Sequence, residues 1–186
     1  MGARSWFEPL GVVVAIVVIV GISTGAVLLG PALAPANGGT PAPPAPPPTH
    51  YVNLTVVINA TWGVPQYVPA NFSVPAGRVV ITIRDYDQPG TFVGCGCNVT
   101  GTVGGVEMIN GTAYHRVPNL NVAHTFSAPS LNLNILSPGS STVSFVTELF
   151  RGTYPWWCMA PCGLNGMMGF PMGVPGFMAG TITVTN

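Results

Sequence analysis

The sequence predicts an all-β domain, a sandwich or barrel, set behind one N-terminal membrane-spanning helix. Three observations carry this. Leu10–Leu29 is a run of twenty residues without a charge. A Pro- and Ala-dense stretch follows it. From His50 onward, short runs of β-branched and aromatic residues alternate with Gly, Pro and Asn, the pattern of strands and turns. At 186 residues the chain holds one domain with appendages.

The apolar run is rich in Val, Ile, Leu, Ala and Gly. At about 1.5 Å per residue it matches the roughly 30 Å hydrocarbon core of a bilayer. Arg4 precedes it, and after Glu8 the next charge is Arg78. The positive-inside bias then puts residues 1–9 in the cytoplasm, a transmembrane anchor at 10–30, and the remainder outside the cell membrane. A cleaved signal peptide is the competing reading, because Ala32-Leu33-Ala34 has the small-x-small form of a cleavage site. Against it stand the length of the run and Pro35 directly after the cut. Residues 31–49 cannot pack a core. They predict an extended polyproline II linker of about 3 Å per residue.

Within the domain, 50–186, strands are expected in Tyr51–Trp62, in Phe72–Gly77 leading into Arg78–Arg84, and in Thr91–Val93, Ala123–Phe126, Thr142–Glu148 and Gly180–Val184. Val79, Ile81 and Ile83 alternate with Val80, Thr82 and Arg84, as a half-buried strand requires. A short helix or coil is expected over 105–120. Sequons at Asn53, Asn59, Asn71, Asn98 and Asn110 suit a glycoprotein exposed outside the membrane.

Charged residues are 5% of the chain: five Arg, no Lys and five acids, with zero net charge. No basic patch exists to neutralise phosphates, so nucleic acid is excluded as a partner. So few carboxylates also leave little to protonate on acidification, which is compatible with an acidic exterior. The serines lack a His/Asp relay and no Gly-rich phosphate loop is present, so no catalytic constellation stands out.

The chemistry-bearing residues gather toward the C-terminus. Val122-Ala123-His124-Thr125-Phe126 is followed by Gly152-Thr153-Tyr154 and by Cys158-Met159-Ala160-Pro161-Cys162-Gly163. Phe177-Met178-Ala179-Gly180 then opens the last strand. Thiolate, thioether and imidazole together suit copper.

With V-x-H-x-F, G-x-Y and C-x3-C-G in that order, the chain resembles the cupredoxin superfamily. In particular it is similar to the copper (CuA-type) domain of cytochrome oxidase subunit II, and secondarily to archaeal sulfocyanin. The resemblance implies a Greek-key cupredoxin-like β-sandwich with copper as cofactor and His124, Cys158, Cys162 and Met178 as metal ligands. It also implies electron transfer outside the membrane, with terminal oxidase subunits or another redox protein of the respiratory chain as partners. The chain departs from the subunit II pattern in three ways. That family commonly has two membrane helices. Its second histidine falls here on Gly166, and its methionine on Gly169. No histidine follows His124.

Other readings compete at each residue. Met159, Met167, Met168, Met172 and Met178 crowd the final loop, either as soft ligands or as an apolar cap. His115 is a candidate for the missing imidazole, whereas His50 ends the linker and is expected to be solvated. Four cysteines allow three complete pairings, and pairing Cys95 and Cys97 with Cys158 and Cys162 would destroy a thiolate site. A four-cysteine zinc site is a further arrangement. Two alternative functions follow: a metal-free structural or interaction subunit with bridged cysteines, or a Met-rich copper-handling protein.

Overall fold

The computed structural model describes residues 48–90, 97–118, 122–162 and 169–186. Eleven strands form two sheets that pack as a sandwich. The strands are β1 (Thr49–Ile58), β2 (Pro65–Val68), β3 (Asn71–Pro75), β4 (Gly77–Asp85), β5 (Glu107–Ile109), β6 (Thr112–Tyr114), β7 (Val122–Ala128), β8 (Leu133–Pro138), β9 (Ser141–Leu149), β10 (Gly152–Trp157) and β11 (Ala179–Thr185). The first sheet runs β2-β1-β4-β9-β5-β6 and the second β3-β11-β10-β7-β8. Most pairs are antiparallel. The two parallel pairs, β1 with β4 and β3 with β11, arise where the chain crosses between sheets.

Alternation decides which side chains fill the sandwich. On β4 the buried residues are Val79, Ile81, Ile83 and then Asp85, so the expected period of two holds along the strand. β1 contributes Leu54 and Val56. From the second sheet come Phe126, Leu133, Ile135, Trp156 and Ile182. Trp156 lies at the centre, its ring 4.9 Å from Tyr67 and 4.6 Å from Phe126. Its indole N–H donates to the Ala70 carbonyl at 2.9 Å, so the large ring is buried without stranding its polar atom.

Two buried acids of the first sheet reach the second. Asp85 Oδ2 accepts from Ser137 Oγ at 2.7 Å, and Glu107 Oε2 accepts from the Leu136 N–H at 2.9 Å. Both partners stand on β8. Glu107 Oε1 is buried without a hydrogen-bond partner.

Of the segment 105–120, expected as helix or coil, residues 107–109 and 112–114 are strands, and the rest of its described residues are turns and coil. β5 and β6 form a hairpin, turning at Asn110-Gly111, and β5 extends the first sheet beyond β9. Both strands are three residues long, too short for a period of two to register in the sequence. Tyr51–Trp62 does not run as one strand. β1 ends at Ile58, and the Asn59 side chain accepts the N–H groups of Thr61 and Trp62 to make a turn. The strand expected at Thr91–Val93, the apolar run 10–30 and linker residues 31–47 lie outside the described residues. Among the described residues no helix is long and apolar enough to cross a membrane. Asn53, Asn71, Asn98 and Asn110 are exposed and Asn59 is half-buried.

Candidate metal centre

The centre is assembled at one end of the sandwich from three places in the chain. β4 ends there at Asp85, β7 begins there, and the segment after β10 crosses it before β11 returns. β7 carries a bulge: Val122 pairs with Pro138 and His124 with Ser137, so Ala123 is the extra residue. Bulges turn side chains away from their regular direction and often lie beside functional sites. His124 emerges from this one, 1% exposed.

Its imidazole is held by Nε2, which donates to Asp87 Oδ2 at 2.9 Å. Asp87 is itself fixed. Its backbone N–H donates to Asp85 Oδ1 at 3.0 Å, its Oδ1 accepts from the Gln88 N–H at 2.7 Å, and its carbonyl accepts from Ser140 Oγ. The other ring nitrogen, Nδ1, is buried and has no hydrogen-bond partner. Besides Asp87, the Cys158 sulfur acts on the ring, and a carboxylate on one ring nitrogen orients the other toward a metal.

Cys158 is buried beside it. Its N–H donates to the Met178 carbonyl at 2.8 Å, which ties the segment after β10 to the start of β11. Its Sγ accepts the Thr125 N–H at 3.4 Å. Thr125 Oγ1 accepts the next N–H, that of Met159, at 2.7 Å, so one β7 residue holds the turn at two points. The turn then closes with Cys162 N–H donating to the Ala160 carbonyl at 2.8 Å. This brings Cys162 Sγ to 3.0 Å from Cys158 Sγ. Both cysteines are free thiols. Ligand atoms of His124, Cys158 and Cys162 all lie within 4.8 Å of one another.

In the metal-free centre the electrostatics link the imidazole to the sulfurs as an ion pair, so a metal would have to displace the ring proton. Burial works against the charged ring of His124, but the Asp87 carboxylate and the Cys158 sulfur outweigh it and hold the ring's pKa up at about 9. Burial opposes ionisation of Cys158 as well. The hydrogen bond from Cys162 and the neighbouring imidazole overcome that, lowering its pKa to about 5. Cys162 moves the other way, held protonated by its bond to the Cys158 sulfur and by burial. Metal binding needs deprotonated thiolate, and Cys158 is prepared for it.

Of the four expected ligands, the structure gathers His124, Cys158 and Cys162. Met178 is fully buried in the core, joined to Cys158 through its backbone. His115 does not fill the missing histidine's place. It is exposed, with Nδ1 on the Gly105 carbonyl at 2.9 Å. His50 lies within β1 rather than in a solvated linker. Cys97 is disulfide-bonded, and that bond spares both Cys158 and Cys162. Cys158 and Cys162 are therefore not consumed in a pairing with Cys95 and Cys97, and the bridged Cys97 does not join a zinc site. Met172, by contrast, comes to the cysteines: its Sδ is 3.0 Å from Cys162 Sγ. Asp87 and Thr125 were not anticipated. The only sequence signal for Asp87 is its place two residues beyond Asp85, itself an acid on the inward face of a strand.

Chemically, the cluster offers an imidazole nitrogen and two cysteine sulfurs, His124 and Cys158 buried and Cys162 half-buried. The donor set fits a soft or borderline cation and excludes hard ones such as Mg²⁺ or Ca²⁺. Fold and site together define a two-sheet β-sandwich with a His-Cys-Cys centre at one end. No protein-family model and no curated protein sequence matches the chain. Among solved structures, amicyanin from Paracoccus versutus is 12% identical, with 76% of this chain and 86% of that chain covered and a TM-score of 0.29. Fet3p, a multicopper oxidase that functions in iron import, is 20% identical at a TM-score of 0.30. The match covers 75% of this chain and only 23% of that one. Structural similarity at these TM-scores carries no argument.

Proposed function

We propose that this is a cupredoxin-like copper protein whose centre is held by His124, Cys158 and Cys162, with Met178 as a further thioether ligand. One observation carries the reading: ligand atoms of the buried His124 and of two free thiols, Cys158 and Cys162, lie within 4.8 Å of one another. Copper, when bound, supplies one-electron redox chemistry. The chain's own residues orient the imidazole through Asp87 and favour ionisation of the buried Cys158 through Cys162 and His124. Electron transfer at the outer face of a membrane, beside a terminal oxidase or another redox protein, extends this reading along the resemblance to subunit II. The apolar run Leu10–Leu29 supports the anchor. The free thiols weigh against a metal-free subunit with bridged cysteines.

Metal analysis and absorption spectroscopy of the full-length chain test the proposal. Stoichiometric copper is expected, with a thiolate-to-Cu(II) band when the loaded protein is oxidised, and Cys158→Ser should lose both. Because the second histidine is missing, the spectrum should differ from that of CuA. A reduced protein that takes up no copper, or a Cys158→Ser variant that binds as well as the wild type, would end it.

A further inference from the structure

We infer that the Met172 thioether takes the place left by the missing histidine, making the centre a sulfur-rich site selective for monovalent copper. This rests on the copper reading above and names a ligand that the resemblance does not supply. The chain has no histidine after His124, and His115 is committed elsewhere. The loop must therefore complete the centre with another donor. Among the described residues, the methionine sulfur that touches the cysteine pair is that of Met172.

The contact is built rather than incidental. The Met172 N–H donates to the Gly169 carbonyl at 2.9 Å and the Val174 N–H to the Pro171 carbonyl at 3.2 Å, so the residue sits on a hydrogen-bonded turn. Its side chain is partly buried against the core. Cys158 Sγ, Cys162 Sγ and Met172 Sδ then stand in series at 3.0 Å steps, closer than two sulfur atoms pack by dispersion alone. In the metal-free protein the Cys162 thiol donates to the Met172 sulfur, and a cation would take the place of that hydrogen with the sulfurs moving apart around it. A soft monovalent cation binds all three, and a thioether needs to lose no proton to take part.

Selectivity follows from the donors. Two cysteine sulfurs and a thioether against a single imidazole favour Cu(I) over Cu(II), which prefers nitrogen and oxygen in tetragonal sites. Met159, next to Cys158 in the chain, supplies the contrast: it is 42% exposed, and the hydrogen bond it makes runs from its backbone N–H to Thr125.

The test is a Cu(I) competition titration of the full-length reduced chain against a chromogenic Cu(I) chelator. Met172→Leu nearly keeps volume, so the fold should survive. Its Cu(I) affinity should fall roughly tenfold or more, since even outer-shell partners of metal ligands are worth 10–100-fold. Met159→Leu should bind like the wild type. In selenomethionine-substituted protein loaded with Cu(I), copper-edge absorption should show selenium scattering in Met178→Leu and lose the Met172 contribution in Met172→Leu. Unchanged affinity in Met172→Leu, or selenium scattering equal to that of the wild type, would overturn the assignment while leaving the copper reading intact. A wild-type chain that binds no Cu(I), or a Cys158→Ser variant that binds as tightly, would overturn both.

Discussion

Asp87 and His124 are joined by a 2.9 Å bond from the ring Nε2 to the carboxylate, so the imidazole's orientation is set before a metal arrives. Three further bonds hold the Asp87 loop, and the ring inherits their rigidity. Asp87→Ala should therefore weaken copper binding by roughly 10–100-fold. Asp87→Asn should lose less, because an amide oxygen still accepts from Nε2–H. Competition titrations of the two variants, with thermal melts of the metal-free proteins as folding controls, measure this. Equal affinity in Asp87→Ala and wild type would show that the ring is positioned by packing alone.

Glu107 makes stability depend on pH. Burial raises its pKa from 4.5 to about 8, with only the Leu136 N–H opposing. The folded state keeps this proton while the unfolded chain loses it, so stability is greatest below about 4.5 and declines as pH rises through about 8. Burial raises Asp85 in the same sense. In proton count, His124 and Cys158 oppose each other over the neutral range, one gaining and one losing a proton on folding. The metal-free protein should thus melt at a higher temperature at pH 5 than at pH 8, by the equivalent of more than about 1 kcal/mol. Glu107→Gln, which keeps an acceptor for Leu136, should flatten that slope. A slope unchanged by the substitution would place the proton elsewhere.

Gly180 has no room for a side chain. A Cβ there would lie 1.8 Å from the Ala70 carbonyl oxygen and 2.8 Å from the Trp156 indole nitrogen. Gly180→Ala should break the bond from Trp156 to Ala70 and destabilise the protein by about 3 kcal/mol, the upper range for overpacking. Gly173 has φ +65° and open space around it, so Gly173→Ala should cost only about 1–2 kcal/mol. Chemical denaturation, followed through tryptophan fluorescence, ranks the two. If Gly173→Ala proves the more damaging, the close packing of β11 on Ala70 is not what limits stability.

The β-sandwich was legible because β1, β4, β9 and β11 are long enough for alternation to appear in sequence. β5 and β6 were not, since three residues carry no period and their pairing depends on β9. His124, Cys158 and Cys162 were legible through their donor chemistry and order. Their partners were not. Asp87 reaches His124 across thirty-seven positions of sequence, and the bulge at Ala123 that aims the ring is a property of pairing with β8. Met172 was one of five candidates in the loop, and only the turn at Gly169–Val174 distinguishes it.

β1 and β4 run parallel, with Thr49 beside Arg78 and Val56 beside Asp85. The chain therefore enters the sandwich about 23 Å, seven strand residues, from the end of β4 that carries the sulfur cluster. β11 departs from that cluster and finishes at Thr185, whose carbonyl accepts from Ala76 next to the start of β4. Both ends of the fold thus leave through the pole remote from the metal ligands. A fusion or surface linkage at either terminus would present the ligand-bearing pole outward, so one geometry suits immobilisation on an electrode from both ends.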